Sequence, residues 1–266
     1  MAGLVDIDGH PTWVEDLGGG AAPLLLLHGG LSNSDALLAT LGPGLSEHYR
    51  VIAFDRRGHG YTADTAAEFH YAGMAREAVS VLEKVAGGPA HLVGWSDGGI
   101  IALLVALQRP DLAAKLVVIG TNYHVDGIQP VELDPGSPVF QELGRAYVER
   151  SPDGPGHLEE VIRKSMQLTR TEPSLTTEDL ARIQQPVLVV AGDDDLVALP
   201  HTVSLYEALP NGQLAVVPGA SHALPLEQPA TLTGLILPFL AAEGPPQTLM
   251  PIRRARTTAT DAEKAR

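Results

Sequence analysis

Six short, largely apolar runs punctuate the chain: Pro23 to Leu27, Val51 to Phe54, Ala90 to Val93, Leu116 to Ile119, Val187 to Ala191 and Leu214 to Val217. Each is strand-length and apolar on both sides, as expected where helices cover both faces of a parallel sheet. Leu4 to Ile7 and Thr12 to Leu17 flank Asp8-Gly9-His10-Pro11, which predicts a hairpin of edge strands ahead of that sheet. Between the runs, apolar residues recur at helical spacing. Tyr71 to Ala86 places Met74, Ala78, Val81, Leu82 and Val85 on one stripe, and Ile100 to Gln108, Pro200 to Leu209 and Leu224 to Leu240 also read as helices. The alternation predicts an α/β fold, a mostly parallel central sheet flanked by helices.

The stretch from Ile119 to Val187 is too long for a single crossover helix. Ser137-Pro138 reads as an N-cap and first helical residue, followed by Phe140, Leu143, Tyr147 and Val148 on one face to about Arg150. After the turn-rich Ser151 to Gly156, Leu158, Val161, Ile162 and Met166 mark a second helix, and Thr176 with Asp179 forms a capping box for a third. The predicted organisation is a core of residues 1–120 and 186–243, a helical insertion of residues 121–185 and a tail of residues 244–266. That tail begins Gly-Pro-Pro, carries five basic against two acidic residues and shows little apolar periodicity, so it reads as flexible.

Composition then acts by exclusion. The formal charge is −14 over 266 residues, which disfavours nucleic acid and anionic membranes and suits a neutral or cationic small molecule. With no cysteine there is no disulfide, thiolate nucleophile or Cys-based zinc site. No signal peptide or membrane-length apolar run is visible, so a cytoplasmic protein, monomeric or homodimeric, is expected.

In sheets of this kind ligands bind outside the carboxyl ends of the strands. The residues that follow the apolar runs are His28-Gly29-Gly30-Leu31, Asp55-Arg56-Arg57-Gly58-His59-Gly60, Gly94-Trp95-Ser96-Asp97-Gly98-Gly99, Gly192-Asp193-Asp194-Asp195 and Pro218-Gly219-Ala220-Ser221-His222. A serine, an acid and a histidine thus converge on one edge, with Ser96 at the apex of a strand-to-helix turn. His28 and His59 read as hydrogen-bonded turn elements, and Asp55 and Arg57 as braces of their turn. The triplet Asp193 to Asp195 lacks the spacing and glycine of a calcium loop, and no zinc, Walker or dinucleotide motif appears, so neither metal nor cofactor is expected.

These motifs together resemble the α/β-hydrolase family, from about Gly3 to Leu240. The resemblance implies a small helical cap inserted after the sixth strand, with Ser96 as nucleophile, His222 as general base and Asp195 as the acid, although Asp193 and Asp194 are neighbours. It implies an oxyanion hole built from the backbone N–H groups of Asp97 and Gly30, with Leu31 as the alternative second donor. Leu31, Trp95, Tyr123, His124, Phe140, Tyr147 and Met166 are the candidate substrate contacts. Asp97 has two readings. In the G-W-S-D-G-G subset resembling valacyclovir hydrolase, the biphenyl hydrolase-like protein, that carboxylate pairs with an amino-acid ester; otherwise it charges the first helical turn. The expected activity is hydrolysis of a small ester, thioester or lactone. The alternatives are an amino-acid ester hydrolase or iminopeptidase-like peptidase, a cofactor-free haloperoxidase or perhydrolase, and a non-catalytic ligand-binding relative.

Overall fold

The computed structural model describes residues 1–20, 22–130, 138–244, 246 and 248–252, with side chains in the helix at 138–150 from residue 141 onward. Eight strands form one sheet: β1 (Ala2–Ile7), β2 (His10–Gly19), β3 (Pro23–Leu27), β4 (Arg50–Phe54), β5 (Ala90–Trp95), β6 (Ala113–Ile119), β7 (Val187–Asp194) and β8 (Gly212–Ser221). Their order is β1-β2-β4-β3-β5-β6-β7-β8. β1 and β2 form the antiparallel hairpin that the alternating residues predict, β2 meets β4 antiparallel, and every remaining pair is parallel.

The helices are α1 (Ser34–Thr40), α2 (Gly42–Ser46), α3 (Tyr71–Val81), α4 (Asp97–Gln108), α5 (Pro138–Arg150), α6 (Leu158–Thr171), α7 (Thr177–Leu180), α8 (Leu199–Ala208), α9 (Leu224–Glu227) and α10 (Pro229–Ala241). Alternate residues of the apolar strands serve opposite faces. Leu25, Leu27, Ile52, Phe54, Leu92 and Val118 pack with the buried sides of α3 and α4. Leu24, Leu26, Val51, Ala53, Val93 and Val117 pack with those of α1, α2 and α10. Burial of each such side chain contributes roughly 1.5–3 kcal/mol, and the two-faced burial explains why these strands read as largely apolar runs.

Three helices differ from expectation. The helix over Tyr71 to Ala86 is α-helical only to Val81; Leu82–Ala86 form a π-helical turn closed by Gly87 in the left-handed region. The run Leu224 to Leu240 is two helices broken at Gln228, because the residue before Pro229 is driven out of helical geometry. In α6 the buried face is Val161, Lys164 and Leu168, whereas Met166 is exposed. Thr176 and Asp179 do form a reciprocal capping box at α7. Ser137 and, in the predicted tail, residues 245, 247 and 253–266 lie outside the described residues. Among the described residues no helix is long and apolar enough to cross a membrane.

Candidate active site

β5 runs straight into α4, and the turn between them holds Ser96 at φ 54°, ψ −119°. A non-glycine residue in such a conformation costs on the order of 1–3 kcal/mol and persists only where its surroundings over-determine it. They do so here. A Cβ on Gly94 would lie 2.2 Å from the Gly98 carbonyl oxygen, and one on Gly98 would lie 2.0 Å from that of Leu27, so only glycines permit this close strand-to-helix approach. The Ser96 N–H donates to the Ile119 carbonyl (2.8 Å) of the neighbouring strand.

The acid and histidine loops meet because β7 and β8 extend past their apolar runs: Asp194 pairs with Ser221, beyond a register shift after Gly192. Asp195 and His222 therefore leave the sheet side by side. His222 places Nε2 3.0 Å from Ser96 Oγ and Nδ1 2.8 Å from Asp195 Oδ1. Asp195 is 7% exposed, and its carboxylate also accepts from the Val197 N–H (3.0 Å) and the Gly192 N–H (3.4 Å). Asp193 and Asp194 are exposed; Asp193 instead accepts from the Gly219 N–H (2.7 Å) and so secures the histidine loop. Gly120, at φ 54°, lies against the pair: a Cβ there would be 3.0 Å from His222 Nδ1.

Beside Ser96, the turn Gly29 to Ser32 closes through Ser32 N–H to the Gly29 carbonyl (3.4 Å), with Leu31 at φ 53°. Gly29 packs on the serine, its absent Cβ 3.4 Å from Ser96 Cβ. The Asp97 N–H opens α4 and has no intrahelical acceptor, and it sits at the positive end of the helix dipole. The two N–H groups considered for an oxyanion hole thus belong to backbone segments that flank Ser96.

Other candidates fall elsewhere. Trp95 is 8% exposed and packs in the core, where its indole N–H donates to the His222 carbonyl (2.8 Å); it is a support of the histidine loop, not a pocket wall. Tyr123 stacks on His201 with ring centroids 4.1 Å apart and hydrogen-bonds Ser204 (2.9 Å). His124 accepts from the Asp126 N–H and caps a short 3-10 turn, and Met166 faces outward, so none of these three lines the pocket described below. The side chain of Phe140 lies outside the described residues.

Tyr147 and Leu31 do line a pocket, together with His59, Leu143, Leu158 and Val161. Its free volume of about 40 Å³ has room for a few waters at most. Neither Ser96 nor His222 is among its lining residues.

The buried histidines are uncharged turn elements. Burial, reinforced by Arg56, lowers His28 well below the ordinary imidazole range and His59 to about 3. His28 Nδ1 donates to the Gly29 carbonyl (2.8 Å), and Nε2 accepts from the Arg56 N–H (3.3 Å). Asp55 does brace its turn, accepting from Ser34 N–H (2.7 Å) and Tyr61 N–H (2.9 Å), while burial pushes its carboxyl up to about 6. Arg57, the other expected brace, pairs outward with Glu77 (2.6 Å).

Two residues outside the sequence-predicted set, Arg56 and Tyr71, adjoin the serine turn. Arg56, 1% exposed, donates to the His28 and Gly29 carbonyls (2.7 and 2.9 Å) and lies 3.7 Å from Asp97 Oδ2. The Tyr71 hydroxyl donates to Asp97 Oδ1 (2.7 Å). Arg56 follows a buried strand at the sheet's carboxyl edge, the one signal that could have singled it out. Among the described residues no group of three or more His, Asp or Glu could hold a metal ion.

This geometry agrees with what the chain is similar to. Residues 24–234 match the alpha/beta hydrolase family. RutD of Caulobacter sp. (strain K31), a proposed carbamate hydrolase, is 29% identical over 243 residues, covering 82% of this chain and 91% of its own. The carboxylesterase CesB (YbfK) of Bacillus subtilis superposes with a TM-score of 0.70 at 26% identity, covering 91% of each chain. A serine hydrolase involved in carbazole degradation, the CarC enzyme, gives a TM-score of 0.75 at 22% identity over 91% of this chain and 98% of its own. With about four fifths of its length matched and the sheet order described above, the chain belongs to the alpha/beta hydrolase family.

Proposed function

We propose that the chain is a serine hydrolase that cleaves a small carboxylic ester, thioester or lactone through an acyl-enzyme. The observation that carries this reading is the hydrogen-bonded series from Ser96 Oγ through His222 to Asp195, at 3.0 and 2.8 Å. His222 takes the serine proton as Oγ attacks the carbonyl, then returns it to the leaving group; water repeats the sequence on the acyl-enzyme. Asp195 holds the imidazole with its Nδ1–H toward the carboxylate and stabilises the charged form. The Asp97 and Gly30 N–H groups receive the oxyanion, each such donor being worth roughly 3 kcal/mol. Helices α5–α7 act as the cap. The net charge of −14 favours a neutral or cationic substrate, with no cofactor taking part. Carbamates belong to the same carbonyl chemistry, and the similarity to RutD supports including them among the first substrates assayed.

Intact-mass analysis after exposure to a fluorophosphonate tests the assignment. One adduct on the wild type and none on Ser96→Ala is expected. An adduct that survives Ser96→Ala, or an unreactive wild type, would contradict it.

A further inference from the structure

The carboxylate of Asp97 and the guanidinium of Arg56 lie beneath the serine turn and take no part in the proton transfers described above. A buried arginine is retained only where several acceptors offset the loss of water, and those of Arg56 are specific. Two are consecutive carbonyls, His28 and Gly29, reached by separate guanidinium nitrogens at 2.7 and 2.9 Å. Asp97 Oδ2 faces one of these nitrogens at 3.7 Å, an ion-pair contact longer than a hydrogen bond. That same oxygen would stand 2.8 Å from a Cβ on Gly30, so the carboxylate is packed directly against the glycine turn.

We propose that Arg56 is a positioning residue that braces both sides of the oxyanion hole at once, with Asp97 as its counter-ion and Tyr71 as the clamp on that carboxylate. The inference rests on the hydrolase reading and names what aims its two N–H donors. The Gly29 carbonyl and the Gly30 N–H belong to one planar trans peptide and point in opposite directions. Fixing the carbonyl therefore aims the N–H. The Gly29 oxygen accepts from Arg56, from His28 Nδ1 (2.8 Å) and from the Ser32 N–H (3.4 Å), which holds the peptide plane from three sides. Hydrogen bonds at the oxygen also polarise the peptide and strengthen its N–H as a donor. The peptide before Leu31 has no such bracing in the turn, which favours Gly30 over Leu31 as the second donor.

On the other side, Asp97 supplies its own N–H to the hole while its side chain is held by Arg56 and by the Tyr71 hydroxyl (2.7 Å). Tyr71 opens α3, and its backbone N–H donates to Glu172 Oε2 (2.9 Å) at the end of α6, so the clamp is itself anchored to the inserted helices. The negative charge of Asp97 already faces a buried cation. This assigns the carboxylate to the protein's own arginine and not to a substrate ammonium.

The test is steady-state kinetics on paired α-amino and des-amino esters, with inhibition by phenylboronic acid, which sets a tetrahedral oxygen in the hole. Asp97→Asn should lower kcat about 10- to 100-fold with KM within about twofold, for both ester types alike, as a slight misaiming of oxyanion donors does. Boronate affinity should fall by a similar factor. Tyr71→Phe, which removes one hydrogen bond and carries the test if Asp97→Asn does not fold, should lower kcat roughly three- to tenfold. Arg56→Met with Asp97→Asn removes both charges together; it should regain the thermal midpoint of the wild type without regaining its kcat. Four results would overturn the brace: kcat within twofold of wild type in both Asp97→Asn and Tyr71→Phe, a loss confined to α-amino esters, a fall in kcat with boronate affinity unchanged, or full activity in the double variant. A wild type that binds no boronate and cleaves neither ester would remove the hydrolase reading, and the brace with it.

Discussion

The shelf formed by the strand-to-helix turn at Ser96 and the helices between β6 and β7 treat charge in opposite ways. Under the shelf, charged groups are buried and held by backbone: Arg56 is 1% exposed, and Asp195 is tied to two N–H groups as well as to His222. On the insertion most pairs are exposed and local, such as Arg145 with Glu142 and Glu149, or Arg163 with Glu160. Such pairs are screened by solvent and fix little. The exception lies at the joint. Lys164 meets Asp64 at 2.7 Å, both 2% exposed; His157 reaches the same carboxylate oxygen at 2.8 Å, and the Lys164 ammonium lies 5.3 Å from the centre of the Phe69 ring. Glu172 Oε1 meets His70 Nδ1 at 2.7 Å, and Arg150 forms an ion pair with Asp35. Chemistry is thus rigidly specified in the core, while the insertion is fastened to it at a few polar points.

The largest effect that sharpens this contrast comes from the acid. Asp195→Asn should lower turnover about 10³- to 10⁴-fold by leaving the imidazole in the wrong tautomer, whereas Asp193→Asn and Asp194→Asn should stay within about tenfold. Comparable losses from all three would break the distinction between the buried acid and its exposed neighbours. On the insertion side, Lys164→Met leaves Asp64 buried without its main partner and should cost about 3 kcal/mol of stability, read as a shifted urea midpoint. Its rate of Ser96 phosphonylation should remain within a few-fold of wild type. A large loss of that rate at unchanged stability would show that the joint, too, shapes the chemistry.

A smaller and more gradual effect follows from pH. His28 and His59 are held neutral chiefly by burial, and burial together with Lys115 lowers His91 to about 4. Each contributes stability that is fully present above the unfolded imidazole pKa of about 6.5 and shrinks as the pH falls toward the folded value, because the unfolded chain takes up the proton first. Asp55, raised to about 6, opposes this trend: the folded chain keeps its proton between roughly pH 4 and 6, so its contribution is lost as the pH rises through that window. The histidines outnumber it, so these groups together take up protons on unfolding near pH 5. Urea midpoints should therefore decline steadily from pH 6.5 to 4; a flat profile would contradict the neutral, buried histidines.

The contrast also explains what could be read in advance. The sheet was legible because burial on both faces demands largely apolar runs. Ser96 and His222 were legible because each is a reactive residue type in the turn that follows such a run, whereas Asp195 was singled out from Asp193 and Asp194 only by the resemblance to the family. Arg56 was not. Two arginines stand side by side, and only the path of the chain beyond Phe54 turns the first toward the glycine turn, while the second makes a half-buried pair with Glu77. Trp95 suggested a substrate contact because it adjoins the serine, yet alternation along β5 points it into the core. On α6 the apolar stripe led to Met166, while the face that is buried includes a lysine, which no hydrophobic pattern reveals. The break at Gln228 was available in the sequence, since a proline follows it.

The central claim, an acyl-enzyme on Ser96, is tested most directly by acid-quenching the enzyme during turnover of p-nitrophenyl acetate and measuring its intact mass and peptide map. A single acetyl group on Ser96, absent from Ser96→Ala, is the predicted result. Product release with no covalent adduct at any quench time, or an acetyl group on another side chain that forms and decays with turnover, would contradict the account.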